Sequence, residues 1–181
     1  MNKIVKLTVI LFLICAVTAG ILGAVYNVTE GPIEMRKAEK TAKAYAAVLP
    51  SDSYTPVDEA KYADFAGVTK IEKADNGSGH VVQLTVVGAQ GEITLVVGVA
   101  SDNTCTGISI IKHSETSGLG AKAADTGEFG TNWRAQFVGQ GEDIALSKFG
   151  GEIDAITAAT ITSKAVTNAA ATAIKAVIAL G

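Results

Sequence analysis

The residues best suited to chemistry lie near the C-terminus, in the segment Asp154–Ser163. This segment places five polar side chains within ten residues: Asp154, Thr157, Thr160, Thr162 and Ser163. A helix-like pattern, Lys164–Leu180, follows directly. Hydroxyl groups ahead of a helix cap its free N–H groups, and the same N–H groups attract anions such as phosphate. The spacing therefore predicts either an ordinary helix cap at Ser163 or an anion-binding site around Thr160.

A second polar segment, His113–Gly120, follows the last predicted strand. Glycines on both sides of Leu119 permit a tight turn that presents backbone N–H groups to a ligand. A plain surface loop is the alternative. Neither His113 nor Glu115 has a matched partner that would make a catalytic pair, and no activated serine or phosphate loop is present in the sequence. We therefore expect no independent catalytic site in this chain.

The middle of the chain carries the pattern of a β-sheet. Four β-branched segments alternate with turn sequences: Val68–Lys73, His80–Val87, Glu92–Ala100 and Cys105–Lys112. Short connections join antiparallel neighbours, so we predict an antiparallel meander. The C-terminal helix offers the sheet one stripe of apolar side chains, formed by Val166, Ala170, Ala173 and Val177 and flanked by Ala169, Ile174 and Ile178. The predicted class is α+β, with an antiparallel sheet packed by helices.

The N-terminal segment Leu7–Val25 contains 19 residues without a charged side chain. As a helix it is long enough to cross a hydrocarbon core of about 30 Å. Lys3 and Lys6 precede it, which by the positive-inside rule leaves the N-terminus in the cytoplasm and the remaining chain outside. A cleaved signal peptide is the alternative. We favour an uncleaved single-pass anchor in the cell (inner) membrane, because small residues in its second half suit packing against partner helices.

The predicted organisation has three parts. Residues 1–26 form the cytoplasmic N-terminus and the transmembrane anchor. Residues 27–66 form a linker, which contains Pro32, and a helical segment over Ile33–Leu49. Residues 67–181 form the folded domain.

Charge and cysteine content exclude several functions. The formal net charge is −3, and beyond Lys6 the chain holds 13 basic and 18 acidic residues. Nucleic-acid binding requires a basic surface, so no nucleic-acid partner is expected. Cys15 and Cys105 are too few for an iron–sulfur cluster or a zinc site within this chain, and we predict no metal.

The segment Asp154–Ser163 resembles the flavinylation motif of FMN-binding domain proteins. This family includes the G component of the Rnf ion-translocating electron transport complex and the C component of the Na+-translocating NADH:quinone oxidoreductase. The matching residues read Asp-x-x-Thr-x-Ala-Thr followed by Ile-Thr-Ser. The resemblance implies that a dedicated flavin transferase esterifies the FMN phosphate to Thr160. The family usually has glycine at the position of Ala158.

Two further segments resemble family signatures and occur in the expected order. The segment His113–Gly120 is similar to the His-x-Glu-Thr-Pro-Gly-Leu-Gly signature of the Rnf G component, with Ser117 at the proline position. The segment Asn132–Phe137, with Gly139, looks like the family's aromatic Gln-Phe-x-Gly segment. The cofactor-binding residues implied by the resemblance are Thr160 (covalent FMN), Thr157, Ala158, Ala159, Ile161, Thr162, Ser163, Glu115, Thr116, Gly118, Leu119, Gly120 and Trp133.

The resemblance also implies a role for each group. Backbone amides beside Thr160, together with Thr162 and Ser163, are expected to hold the phosphate. The loop Glu115–Gly120 would cover part of the flavin, with Leu119 as an apolar contact. Trp133 is a weaker candidate for such a contact, and plain core packing is the alternative.

By resemblance, the chain is a membrane-anchored electron-transfer subunit with covalently bound FMN. It would serve an Rnf-type ferredoxin:NAD+ oxidoreductase complex that couples electron flow to Na+ or H+ translocation, with its FMN domain on the extracytoplasmic (periplasmic) side. The expected partners are the other membrane subunits, the flavin transferase and membrane lipid. Two alternatives stay open: an FMN-binding subunit of another extracytoplasmic membrane redox chain, and a non-redox anchored scaffold module in which Thr160 is never modified.

Overall fold

The structure is a computed structural model and describes residues 2–181. Its helices and strands follow in the order α1 (Lys3–Val48), β1 (Tyr54–Pro56), β2 (Val68–Ala74), β3 (Gly79–Val87), β4 (Glu92–Ala100), β5 (Cys105–His113), α2 (Glu128–Ala135) and α3 (Thr160–Ile178). Short 3-10 helices cover Glu59–Lys61, Gly120–Ala124 and Ser147–Phe149. The chain divides into two compact units, one ending at Lys40 and the other comprising Thr41–Gly181. The domain boundaries expected after residues 26 and 66 stay predictions.

Helix α1 is the one described helix that is long and apolar enough to cross a membrane. Its most apolar 18-residue window has a mean hydropathy of 2.6, and none of that window is buried inside the protein. The linker predicted after Tyr26 is wrong, because the helix continues through Pro32. A proline removes one backbone donor, but the sequence that follows is rich in Ala, Lys and Glu, which favour helix strongly enough to continue it.

The five strands form one antiparallel sheet in the order β1-β2-β3-β4-β5. The predicted meander is confirmed, and the four predicted strands agree with β2 to β5 to within one residue at each end. Strand β1 was not predicted. It is three residues long and ends in Pro56, so its sequence carries no alternation that a pattern could detect.

One face of the sheet packs against α3 and the segments around α2, and this contact forms the larger hydrophobic core. Alanines at 169, 170 and 173 let the helix backbone approach the strands closely, because each is buried with only a methyl group at the contact. The stripe predicted for this helix is buried as expected, except that Ile178 remains 40% exposed. The fold class α+β is therefore confirmed.

The other face of the sheet is covered by the last turns of α1. Side-chain alternation along the strands separates this smaller cluster from the larger core; it contains Ala44, Tyr45, Val48, Leu49, Ala74, Val81 and Val96. The Thr106 hydroxyl donates a hydrogen bond to the Val48 carbonyl (2.5 Å), and the Tyr54 hydroxyl donates one to the Leu49 carbonyl (2.6 Å). These bonds satisfy carbonyls at the helix end that have no partner within the helix.

Candidate functional site

Thr160 is the first residue of α3, so the helix begins four residues earlier than its sequence pattern indicated. The preceding residue, Ala159, is the N-cap and provides no side-chain hydrogen bond. The backbone N–H groups of the first turn therefore have no carbonyl partner within the helix and no cap. Thr160 itself is half-buried. An uncapped helix N-terminus that starts at a hydroxyl residue is chemically suited to an anion.

The turn before Thr160 contains a residue with unusual backbone geometry. Ala158 has φ of 62°, in the left-handed region that L-residues other than asparagine and aspartate rarely adopt. This conformation reverses the chain between the exposed Thr157 and the buried Ala159. The glycine that the family usually has at this position would adopt it without a steric cost.

Ser163 does not cap the helix, and this alternative from the sequence is wrong. Its hydroxyl is fully buried, accepts a hydrogen bond from the Ile156 N–H (2.9 Å) and donates one to the Ala159 carbonyl (3.0 Å). Ser163 thus fastens the turn before the helix onto the helix itself. Because both bonds lie inside the protein, the structure offers its hydroxyl to no ligand.

Glu115 connects the second polar segment to the first turn of α3. One carboxylate oxygen, Oε2, accepts a hydrogen bond from the Thr162 hydroxyl (2.5 Å), and Oε1 accepts one from the Gln90 N–H (3.0 Å). Glu115 is only 8% exposed. The Thr162 hydroxyl, predicted to hold a phosphate, is therefore engaged with a carboxylate instead.

The same contacts set the protonation of Glu115. Burial by itself would raise the pKa of this carboxyl, but hydrogen bonds from Thr162 and from the backbone N–H groups of Gln90 and Ala89 outweigh burial. His113 adds a smaller attraction, and the pKa of Glu115 lies below its ordinary value. The group is an ionised acceptor at neutral pH.

The remaining residues of this loop lie at the surface. Thr116 and Gly118 are exposed, and Leu119 is 41% exposed. Gly118 has φ of 78°, which a glycine adopts without strain. Gly120 is buried, and a Cβ at this position would overlap Glu115 Oε2 and come within 2.6 Å of Thr162 Oγ1. The loop therefore lies directly against the start of α3.

Trp133 lies on α2 and is only 4% exposed. Its indole Nε1 donates a hydrogen bond to the Asp154 carbonyl (2.8 Å), and the Asp154 N–H in turn donates one to Gln136 Oε1 (2.8 Å). Its ring packs edge-on against Phe137, with the centroids 5.1 Å apart. Helix α2 is thereby fixed to the segment that leads to Thr160.

A cleft of about 250 Å³ opens between α2 and this segment. Its lining is mixed aromatic and polar, and consists of Phe129, Asn132, Trp133, Gln136, Asp154, Ala155 and Thr157. Trp133 thus combines core packing with a place at the cleft. Phe129, Asn132, Gln136 and Ala155 were not predicted as site residues, although Asn132 and Gln136 belong to the segment that resembles the family's aromatic signature.

A second cleft, of about 470 Å³, lies beside the loop that follows β5. It is lined by His113, Ser117, Gly118, Ala121, Lys122, Ala124, Asp125 and Thr126. The Nδ1 atom of His113 is buried and has no hydrogen-bond partner. Gly118 is the one predicted site residue in this lining.

The described residues contain no group of three or more His, Cys, Asp or Glu side chains that could hold a metal ion. Cys105 is buried, and burial raises the pKa of its thiol to about 11. Its Sγ donates a weak hydrogen bond to the Gly107 carbonyl (3.7 Å). This thiol stays protonated and is no candidate ligand or nucleophile.

A family model described as the FMN-binding domain matches residues 88–175. The chain is 37% identical to the G component of the ion-translocating oxidoreductase complex of Methanosarcina acetivorans, over 93% of this chain and 91% of that protein. It is also 37% identical to the G component of the Na(+)-translocating ferredoxin:NAD(+) oxidoreductase complex of Acetobacterium woodii, over 90% of this chain and 86% of that protein.

A solved structure shares the fold. It is the C component of the Na(+)-translocating NADH-quinone reductase from Parabacteroides distasonis, with a TM-score of 0.50 and 22% identity over 68% of this chain and 67% of that one. The residues that match the FMN-binding domain begin in the β3–β4 turn, where Gln90 contacts Glu115, and include most of α3. With relatives of this similarity along nearly its whole length, the chain belongs to the G-component family of ion-translocating oxidoreductase complexes.

Proposed function

We propose that this chain is a single-pass membrane subunit that carries FMN, esterified through its phosphate to Thr160, and passes electrons within an ion-translocating complex. The observation that carries the proposal is the start of α3. A threonine occupies the first helical position behind a left-handed turn, and the N–H groups beside it have no cap. These groups supply an attachment oxygen and an anion-binding site at one place.

The residues present fit FMN. The first turn of α3 attracts its phosphate, since the positive end of a helix dipole and free N–H groups favour negative charge. The cleft beside Thr157 offers an aromatic wall at Phe129 and Trp133, with polar groups at its rim. Leu119 lies on the neighbouring loop with its side chain partly exposed, and is available to an isoalloxazine ring.

Bound FMN would supply the one-electron transfer. The protein's own contribution is placement. Thr160 Oγ would hold the phosphate covalently, the N–H groups of the first turn would balance its charge, and the cleft would orient the ring. Neither the Thr162 nor the Ser163 hydroxyl is assigned to the phosphate, because both are engaged inside the protein.

The wider setting follows from the relatives. The names of the proteins from Methanosarcina acetivorans and Acetobacterium woodii describe ion-translocating complexes, and the latter name specifies Na+, ferredoxin and NAD+. We extend to this chain a role in ferredoxin:NAD+ oxidoreduction coupled to Na+ or H+ transport, with the other membrane subunits as partners. Lys3 and Lys6 support an N-terminus in the cytoplasm and an FMN domain on the extracytoplasmic side, where a flavin transferase would modify Thr160.

The test is mass spectrometry of the full-length protein purified from its native membrane. We expect the peptide that contains Thr160 to carry the mass of FMN less water, and the denatured protein to keep flavin fluorescence in a gel. Thr160→Ala removes the attachment oxygen and should abolish both signals.

Thr172→Ala is the matched control, because Thr172 lies on the same helix and its hydroxyl bonds only the Asn168 carbonyl, one turn earlier. This variant should remain fully modified. An unmodified Thr160 peptide, in cells with an active flavin transferase, would contradict the covalent proposal and favour a scaffold module.

A further inference from the structure

The Glu115 carboxylate joins three segments that are distant in sequence. It comes from the loop after β5, its Oε1 atom binds the β3–β4 turn at Gln90, and its Oε2 atom binds Thr162 on α3, 47 residues away in the chain. Both oxygens are thus used, and both donors belong to the protein. A carboxylate with its acceptor sites filled in this way is fixed in position.

The surrounding backbone leaves space for this carboxylate. A Cβ at Gly88 would overlap Oε1, and a Cβ at Gly120 would overlap Oε2. Two glycines on different segments therefore make room for the same side chain. The two glycines and the carboxylate between them fit together only in this arrangement. This fit supports a specific role for the contact more strongly than the hydrogen bonds alone.

The contact lies on the opposite side of α3 from the attachment residue, Thr160. Thr162 follows Thr160 by two positions, which on an α-helix is about 200° around the axis. Thr162 therefore faces the interior, where it is buried, while the half-buried Thr160 lies on the other side of the helix and the exposed Ile161 between them. Holding Thr162 fixes the direction in which Thr160 and the free N–H groups point.

We propose that Glu115 is a positioning residue, which acts through the Thr162 hydroxyl to hold the first turn of α3 in the orientation that Thr160 needs to receive FMN. The inference rests on the proposed function. Because both of its oxygens accept hydrogen bonds from the protein, Glu115 is not assigned to the phosphate. A carboxylate that faced a phosphate would repel it, whereas here its charge is directed into the protein, where Gln90 and Thr162 donate to it.

The experiment measures the rate at which a flavin transferase modifies purified full-length protein in detergent. In this reaction the Thr160 hydroxyl displaces AMP from FAD, so the phosphoanhydride bond of FAD breaks as the phosphoester to FMN forms. Two pairs of variants isolate the hydroxyl. Wild type and Thr162→Val differ mainly in the hydroxyl, and Thr162→Ser and Thr162→Ala differ in the hydroxyl alone. We expect Thr162→Val and Thr162→Ala to load about tenfold more slowly, and Thr162→Ser to load within about twofold of wild type.

Glu115→Gln distinguishes positioning from direct contact. A glutamine can accept from the Gln90 N–H and donate to the Thr162 hydroxyl, so it keeps the contact while losing the charge. The variant should therefore load faster than Thr162→Val, and in a Thr162→Val background it should cause no additional loss. Circular dichroism and thermal unfolding check that each variant is folded at the assay temperature. If Thr162→Val is not folded, the comparison of Thr162→Ser with Thr162→Ala tests the proposal in its place.

Two outcomes overturn the proposal. If Thr162→Val and Thr162→Ala load as fast as wild type, the hydroxyl contact has no role in positioning. If Glu115→Gln slows loading equally with and without the Thr162 hydroxyl, the carboxylate acts directly. Both differ from failure of the proposed function, in which wild type itself takes up no FMN and the assignment of Glu115 falls with it.

Discussion

Ala158 lies where the backbone favours a residue without a side chain. The sequence shows only that this chain departs from the family's usual glycine. The structure gives the departure a physical meaning, because φ of 62° brings the alanine Cβ close to the following carbonyl. The turn is formed nonetheless, since the buried Ile156 and Ala159 and the Ser163 hydroxyl hold it from both sides. The site therefore contains a small local strain next to its attachment residue.

Replacing Ala158 with glycine should stabilise the protein. Glycine removes the Cβ repulsion, and this gain exceeds the greater entropy of glycine in the unfolded chain, leaving a net increase of about 0.5–1 kcal/mol in the free energy of unfolding. The measurement is denaturant unfolding of the full-length chain in detergent, followed by circular dichroism. Ala165→Gly, inside α3, is the matched control and should have the opposite sign, by about 1 kcal/mol. Equal signs for both variants would contradict the assignment of strain to Ala158.

Glu115 should make the stability depend on pH in a defined direction. Its pKa in the folded protein is lowered, so its contribution to the free energy of unfolding is present above the unfolded pKa of about 4.3 and is lost as pH falls through the folded pKa. The difference in stability between wild type and Glu115→Gln should therefore shift in favour of the variant as the pH falls from about 6 to well below the unfolded pKa of about 4.3.

Asp75 and Asp102 also have lowered pKa values, because side-chain hydroxyl groups donate hydrogen bonds to them. Both are unchanged in the variant, so their contributions cancel in the difference. A difference that stays constant across this range would show that Glu115 has the same pKa in the folded and unfolded chain.

The sequence predicts the role of some site residues and not of others. Thr160 could be selected through the resemblance to the flavinylation motif, whereas the local pattern alone also fitted an ordinary helix cap at Ser163. The actual roles of Thr162 and Ser163 could not be inferred. The partner of Thr162 lies 47 residues away, and the bonds of Ser163 require the true start of the helix. The contact of Thr162 is tertiary, and local spacing does not encode it.

Strands and helices were predictable to different degrees. Strands β2 to β5 are long, β-branched and separated by glycine and asparagine turns, so their ends follow from the sequence. The start of α3 was misplaced because threonine and alanine are compatible with both a turn and a helix, and the capping residue expected there is absent. The continuation of α1 through Pro32 was missed because proline is read as a helix end.

The contact between the end of α1 and the sheet makes a prediction about two paired glycines. Gly98 on β4 and Gly107 on β5 lie opposite each other, and both face Val48. A Cβ at Gly98 would overlap Thr106 Oγ1, which bonds the Val48 carbonyl, and would come within 2.6 Å of that carbonyl oxygen. A Cβ at Gly107 would be 3.7 Å from the Val48 Cα, an ordinary contact. Gly98→Ala should therefore lower the free energy of unfolding by about 1–3 kcal/mol.

Gly107→Ala is the control for this pair. It should leave the free energy of unfolding unchanged or raise it by up to about 1 kcal/mol, because alanine loses less backbone entropy than glycine in a strand. Denaturant unfolding of both full-length variants under identical conditions provides the comparison. Equal losses would mean that the helix end does not pack against Gly98 as described.

The fold class of the molecule could be predicted from the sequence alone. An apolar N-terminal run, a set of short antiparallel strands and one amphipathic helix define an anchored α+β protein, and the structure has this architecture. The arrangement of the site could not be predicted from the sequence in the same way. It depends on how the β3–β4 turn, the loop after β5 and α3 converge on Glu115, and no single segment contains that information.

We predict that the anchor holds the domain in its complex without conducting ions. Between Lys6 and Val25, Cys15 is the one residue with an ionisable side chain, and ion pathways in membranes require polar or charged groups. Replacing Leu7–Val25 with an unrelated apolar helix that keeps the small residues Ala19, Gly20, Gly23 and Ala24 should leave ion transport by the complex intact. Co-purification of the other subunits is the control for assembly. Lost transport in an assembled complex would contradict the prediction.

Trp133 gives the molecule an optical property of its own. It is the single tryptophan in the chain, and it borders the cleft beside the segment that leads to Thr160. Ultraviolet emission of the indole therefore originates at one known place. Flavins absorb light in the range where indoles emit, so a ring held in this cleft would quench the emission by energy transfer. The arrival of the cofactor can consequently be followed in unlabelled protein, as it happens, from the residue that anchors α2.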